Sequence, residues 1–217
     1  MPDAGRVGYS LDPAAVPPHA TARAWGRFCA KTVVTAEHVI WTGGLSSGYG
    51  TFHDDGFRDW DLELADHKAT VTATRWLWTA HHGPIPRGMR ILHGCDLPIC
   101  VRLADLSVGS QAQNIADAAR RDRLARFAGR VRLDRADTRG LAAQSRAIRF
   151  AVLEALDSGV SDPVLLEAVV TGVVAAGSPD AVSAKAPLFG VEDIPDAAVA
   201  KAPAAEPWQP ELFGIDL

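Results

Sequence analysis

No stretch of this chain approaches the roughly 20 consecutive apolar residues that cross a bilayer, so a membrane-spanning protein is not expected. The segment Met1–Pro18 carries a single arginine and no apolar core, so no secretory signal is read there. Cysteine is scarce. Cys29, Cys95 and Cys100 do not make the framework of a small disulfide-stapled secreted domain, and the closeness of Cys95 to Cys100 suggests a metal site instead. Lysine is sparse beside arginine and alanine is abundant, a pattern of GC-rich bacterial or phage genomes, and the expected location is cytoplasmic. Net positive charge is also lacking: the formal charge is −4, which taken alone argues against a surface built for polyanions.

What is present is a folded composition with an uneven charge distribution. The 217 residues suit one domain with appendages, and 47% hydrophobic with 22% charged residues is globular. Between Arg120 and Arg149 there are about ten arginines against about three aspartates. From Glu154 to Leu217 there are about eleven acids against two lysines. The basic middle either contacts phosphates, with counterion release driving the binding, or forms the solvated face of an Arg-rich helix.

Local patterns give an α+β reading. Residues 1–20 are Pro- and Ala-rich and read as a flexible N-terminus. Thr21 caps a short helix running to Lys31. His38–Gly43 and Gly48–Phe52 read as strands with Leu45-Ser46-Ser47 in the turn, and Lys68–Ala73 as a further short strand. Thr74–His82 reads as a helix closed by Gly83 and Pro84. Met89–His93 is a strand, Gly94 to Asp105 a loop, Leu106–Gly109 a second strand, and Ser110 caps a helix from Gln111 to Phe127. Ala142–Ser158 is helical, and Ser161-Asp162-Pro163 starts another helix that ends near Ala176. From Gly177 the composition predicts a disordered tail. Its two short copies, Leu188-Phe189-Gly190 and Leu212-Phe213-Gly214, are too brief for a structural repeat.

The chemistry concentrates between His93 and Asn114. A histidine at the end of a strand is held rigidly with one ring nitrogen free. Cys95 and Cys100 flank a tight loop containing Pro98, so their thiolates can converge on one Zn²⁺, which would staple a loop too small for its own core. The other reading of the pair is a metal-free loop with two buried thiols. Asn114 lies one turn into the following helix, and its amide oxygen is a hard ligand suited to Mg²⁺.

This strand–loop–strand–helix unit resembles the HNH and His-Cys box homing endonucleases of the His-Me finger (ββα-metal) superfamily. Their core reads roughly H-x-C-x4-C-x4-H-x8-N; His93, Cys95, Cys100 and Asn114 fall at matching positions, and Asp105 stands where the family has a zinc-binding histidine. Upstream, Trp41-Thr42-Gly43 and Gly48-Tyr49-Gly50-Thr51-Phe52 resemble the family's W-T-G…G-Y-G-x-F hairpin. Ala73-Thr74-Arg75 resembles its A-H-R, and His82-Gly83-Pro84-Ile85-Pro86 its H-G-P-I-P. Arg139-Gly140-Leu141-Ala142-Ala143 and the helix after it resemble the helical extension of bacterial members.

The resemblance implies a His-Me finger core with preceding β-hairpins, C-terminal helices and a disordered tail. It gives a nuclease domain over 21–135, a helical extension over 136–176 and an acidic tail over 177–217. It implies a metal-dependent DNA endonuclease acting on double-stranded DNA, with His93 as general base and Asn114 holding one Mg²⁺. The family's zinc ligands map onto His38, Cys95, Cys100 and Asp105, a Cys₂-His-Asp set, with Cys29 in reserve. Arg75 would contact phosphate or support His93, or is a buried helix arginine paired with an acid. Arg58, Arg120, Arg121, Arg123, Arg126 and Arg130 are candidate phosphate contacts, and Gly43–Phe52 a groove-facing hairpin.

Several positions depart from the family pattern. Leu97-Pro98 and Arg102-Leu103 replace Asn-Pro pairs, Thr74 replaces a histidine, and Leu92 stands where many HNH enzymes carry a second acidic metal ligand. These departures motivate an alternative: a zinc-stabilised module that holds DNA with weak or no cleavage. In the tail, Gln209-Pro210-Glu211-Leu212-Phe213 matches the loose Q-x-x-L-F pattern of bacterial sliding-clamp peptides, which dock as short extended segments.

Overall fold

The computed structural model describes residues 11–57, 70–120, 124–127, 130–133 and 139–177. The architecture is α+β, with five α-helices, one short 3-10 turn (Leu103–Asp105) and four small antiparallel sheets among these residues. Helix α1 (Ala22–Cys29) begins where the Thr21 side chain accepts from the Ala24 N–H, and it buries Ala24, Trp25, Phe28 and Cys29 on one face. Strands β1 (Thr32–Val34) and β2 (Val39–Trp41) form a hairpin, with Thr32 opposite Trp41. Strands β3 (Leu45–Ser46) and β4 (Tyr49–His53) form a second, and β5 (Thr70–Thr72) pairs with β4 on its other side. Leu45 and Ser46 are therefore strand, not turn. The turn is Ser47–Gly48, both with positive φ (51° and 92°), the backbone that a two-residue hairpin of matching twist requires.

Helix α2 (Ala73–His82) starts at the Thr72 cap and stops at Gly83, whose φ of 81° suits glycine. Strands β6 (Arg90–His93) and β7 (Leu106–Gly109) pair, and α3 (Gln111–Arg120) follows directly. The helix predicted to reach Phe127 ends at Arg120. The chain continues as the hairpin β8 (Leu124–Phe127) and β9 (Arg130–Leu133), with Phe127 opposite Arg130. Val131 and Leu133 alternate with Arg130 and Arg132, a period of two that favours strand over helix. The Arg120–Arg149 segment is thus not one helical stripe. Helices α4 (Leu141–Asp157) and α5 (Pro163–Ala176) pack together as a helical hairpin, α5 starting at the Asp162 cap with Pro163 in its first turn.

The core is aromatic. The Phe28 ring lies 4.8 Å from Trp76, 4.9 Å from Trp41 and 5.3 Å from Phe52, and Phe52 lies 4.6 Å from Trp76. These rings fix α1, β2, β4 and α2 around one centre, and each contributes on the order of 2–3 kcal/mol by burial. Gly50 is required: a Cβ there would fall 2.6 Å from Trp41 Cδ1 and 3.0 Å from Ala73 Cβ. The buried indoles are satisfied, Trp76 Nε1 donating to Asp54 Oδ2 at 2.8 Å and Trp41 Nε1 to Gly44 O at 3.0 Å.

Residues 11–20, although mostly exposed, are tied down at several points, against the expectation of a loose N-terminus. Trp25 Nε1 donates to Asp12 O at 2.9 Å, Leu11 N–H to Thr32 Oγ1 at 3.2 Å, and His19 N–H to Ala80 O at 3.0 Å. A buried indole N–H needs an acceptor, and this segment supplies it despite its composition. Residues 1–10 and the tail beyond Gly177, including Gln209–Phe213, lie outside the described residues.

Candidate metal centre and active site

Local pairing brings distant residues to one place. His93 sits opposite Leu106 at the end of the β6–β7 ladder, and Gly94 N–H donates to Asp105 O at 2.6 Å, closing the intervening loop at its base. The far side of that loop lies along β2. Trp41 N–H donates to Ile99 O at 3.0 Å and Val101 N–H to Val39 O at 2.7 Å, with Ile40 opposite Cys100. His38 immediately precedes β2, so the same pairing carries it to the loop.

One sulfur each from Cys95 and Cys100 and a carboxylate oxygen of Asp105 all lie within 4.8 Å of one another. Zn–S bonds of about 2.3 Å put tetrahedral ligands roughly 3.8 Å apart, so a slight contraction of the loop sets all three on one ion. The donor set fits zinc. Cys100 Sγ is 3.8 Å from Asp105 Oδ2 and accepts from the Arg102 N–H at 3.4 Å, while the Arg102 guanidinium lies 3.6 Å from Asp105 Oδ1. The Cys100 hydrogen bond holds the Cys95 thiol well below the usual range, against the opposing effect of burial. That same bond, with burial, pushes Cys100 up. Burial and the neighbouring Cys95 charge raise Asp105.

His38 stands beside this trio. Its Nδ1 is 2.8 Å from Glu167 Oε1 on α5, and its ring is not among the three ligand atoms that already lie together. Burial, which would lower its pKa, is outweighed by Cys95 and Glu167, which push it up to about 10. Burial would raise Glu167, but the bonds from His38 and Thr35 hold it below the usual carboxylate range. Glu167 Oε2 also accepts from the Thr35 hydroxyl and, at 3.1 Å, from the Glu37 N–H. Cys29, the reserve candidate, is buried on α1, and burial pushes its thiol up to about 11. It is not part of the trio.

His93 Nε2 is 3.2 Å from Cys100 O. A carbonyl only accepts, so Nε2 carries the proton, and the neutral ring keeps its lone pair on Nδ1. Burial holds the ring below its ordinary pKa, against the smaller opposing effects of Cys95 and Cys100. The Tyr49 ring centre lies 6.0 Å from that of His93. The preceding Leu92 packs over Gly109, where a Cβ would fall 2.5 Å from Leu92 Cδ1. Asn114 is half-buried in the first turns of α3, its N–H donating to Ser110 O at 3.0 Å. Arg75 is half-buried in the first turn of α2, its N–H bonded to Thr72 Oγ1 at 3.3 Å.

Arg58, Arg121 and Arg123 lie outside the described residues; Arg120 ends α3, Arg126 is on β8 and Arg130 on β9. At the tip of the β3–β4 hairpin, Gly48 is buried while Ser46 and Ser47 are exposed. A Cβ on Gly48 would fall 2.9 Å from both C and O of Leu141, at the start of α4. Sequence reasoning does not find Thr35 or Glu167. The one signal for Glu167 is that it is the single charged residue of α5.

Residues 71–116, from β5 into α3, match the family model described as HNH endonuclease. Nuclease activity is what such a match suggests. The chain is also similar to Protein 7.7 of Escherichia phage T7, 32% identical over 89 residues, which are 41% of this chain and 59% of that protein. The chain thus spans less than two thirds of the length of that relative. No solved structure matches the chain. Among the described residues, no helix is long and apolar enough to cross a membrane.

Proposed function

We propose that this chain is a metal-dependent DNA endonuclease whose β6–β7–α3 unit works as a His-Me finger, within a nuclease domain over 21–135 extended by helices over 136–176. The observation that carries the reading is the His93 Nε2 contact to Cys100 O, which leaves Nδ1 as the acceptor. His93 takes a proton from the attacking water at Nδ1. Asn114 holds the one Mg²⁺, with Leu92 unable to add a second carboxylate. When bound, that ion supplies charge neutralisation at the scissile phosphate and its leaving oxygen. His38, Cys95, Cys100 and Asp105 hold a structural Zn²⁺ that fixes the loop carrying the Cys100 carbonyl. Arg75 and the arginines from Arg120 to Arg130 serve as phosphate contacts on double-stranded DNA.

The second reading, a zinc-stabilised DNA-binding module, draws on Asp105 and Leu92 standing at positions the family fills otherwise. Supercoiled plasmid incubated with Mg²⁺ separates the two. The endonuclease reading expects nicking that EDTA stops and that falls at least ~100-fold in H93A and N114A, with zinc content and DNA retention unchanged. DNA retention with no cutting by the wild type on varied plasmids would favour the binding module.

A further inference from the structure

We propose that Glu167, on helix α5, is the positioning residue for the metal ligand His38, so that zinc binding and docking of α5 form one coupled equilibrium. This deepens the zinc reading above and rests on it.

The Glu167 carboxylate is fully committed. Oε1 takes the His38 Nδ1 proton at 2.8 Å, and Oε2 takes the Glu37 N–H at 3.1 Å together with the Thr35 hydroxyl. His38 and Glu167 are both about one-sixth exposed or less, at 16% and 13% of their side-chain surface. With Nδ1 occupied, only Nε2 of His38 is available to an ion, and the pairing of Ile40 with Cys100 sets the start of β2 beside the loop that carries the cysteines. A carboxylate that fixes the tautomer and orientation of a ligating imidazole raises its basicity and strengthens the metal bond. The three Glu167 contacts all fall in residues 35–38, the turn that enters β2. A single side chain from the C-terminal helical pair therefore orders the turn that presents the ligand.

A second contact holds α5 to the same turn without Glu167: Ala36 N–H donates to Pro163 O at 3.0 Å. Removal of the carboxylate should therefore leave the helix attached while uncoupling it from the metal. Because linkage is reciprocal, anything that orders the turn for zinc also holds α5, and zinc in turn protects α5.

The full-length chain is titrated with Zn²⁺ against a chromophoric chelator, for wild type, E167A, E167Q, H38A and C95S, with the folded state checked by circular dichroism. Amide exchange over residues 163–176 is followed with and without zinc. E167A should bind zinc about 10- to 100-fold more weakly. E167Q should recover part of the loss, since its amide oxygen still accepts the His38 proton. Zinc should slow α5 exchange in the wild type and leave it unchanged in E167A. Wild-type affinity in E167A, or no effect of zinc on α5 exchange in the wild type, overturns the role of Glu167 while the metal site stands. Loss of binding in C95S but not in E167A likewise removes Glu167 from the site and keeps the metal. Equally weak zinc binding by wild type and C95S overturns both readings together.

Discussion

Replacing Gly48 by alanine tests how the hairpin tip and α4 are joined. Gly48 has φ of 92°, and its Cβ would lie 2.9 Å from the C and O atoms of Leu141. Two costs follow. Placing an L-residue in the left-handed region costs about 1–2 kcal/mol. Forcing a methyl against backbone that cannot rotate away adds about 1–3 kcal/mol. Gly88 is an internal control: its φ is 77°, but a Cβ there meets nothing within 4 Å. G88A should therefore lose only the conformational part. Urea unfolding of the two variants, compared at constant m, should show G48A less stable than G88A by about 1–3 kcal/mol. Equal losses would mean that the tip does not bear on α4. Tyr49 follows Gly48 and stands beside His93, so G48A should also reduce nicking of supercoiled plasmid, while G88A should not.

Other consequences are checked more simply. On the zinc reading, a chelator, or serine in place of Cys100, should lower the thermal midpoint and loosen residues 94–105 to protease, because the loop would lose the ion joining its two ends. Trp76→Ala should cost about 3–5 kcal/mol in urea unfolding, since three rings and α2 meet at that indole. Trp76→Phe should cost less, losing mainly the hydrogen bond to Asp54. Burial holds His81 and His82 below their ordinary pKa, and each is further lowered by a neighbouring histidine. Their neutral forms are therefore favoured in the folded state, and the stability they allow is lost as pH falls below the unfolded value of about 6.5. Relative to wild type, H81Q/H82Q should gain stability as pH falls from about 7.5 to about 5.5; a constant difference would refute this.

The strand–loop–strand–helix order around His93 is legible because each boundary carries a local signal: Gly94 after β6, Gly109 closing β7, Ser110 before α3. The two cysteines are legible as a pair because little sequence separates them. β1 is not, since Thr32–Val34 is short and its partner supplies the pattern. The end of α3 is misplaced from sequence because Ala and Arg favour a helix, whereas pairing with β9 decides the state of residues 124–127. Glu167 is invisible as a site residue. Its partners Thr35, Glu37 and His38 lie far away in sequence, and only the packing of α5 against the β1–β2 turn brings them together. The tethering of residues 11–20 escapes composition for a similar reason: the partners of its hydrogen bonds are Trp25, Thr32 and Ala80.

The pairing of Ile40 with Cys100 also sets an order in time. These two residues are about sixty positions apart, so a long loop must be closed, against its chain entropy, before any contact rewards it. The α4–α5 hairpin faces no such delay, because only residues 158–162 separate its helices. The helical pair can form early and locally, whereas the loop bearing the cysteines closes later, when β2 and residues 99–101 find each other. A refolding chain should show helix before it shows the tertiary signal of the tryptophan cluster, and the machinery around His93 is among the last parts to be assembled.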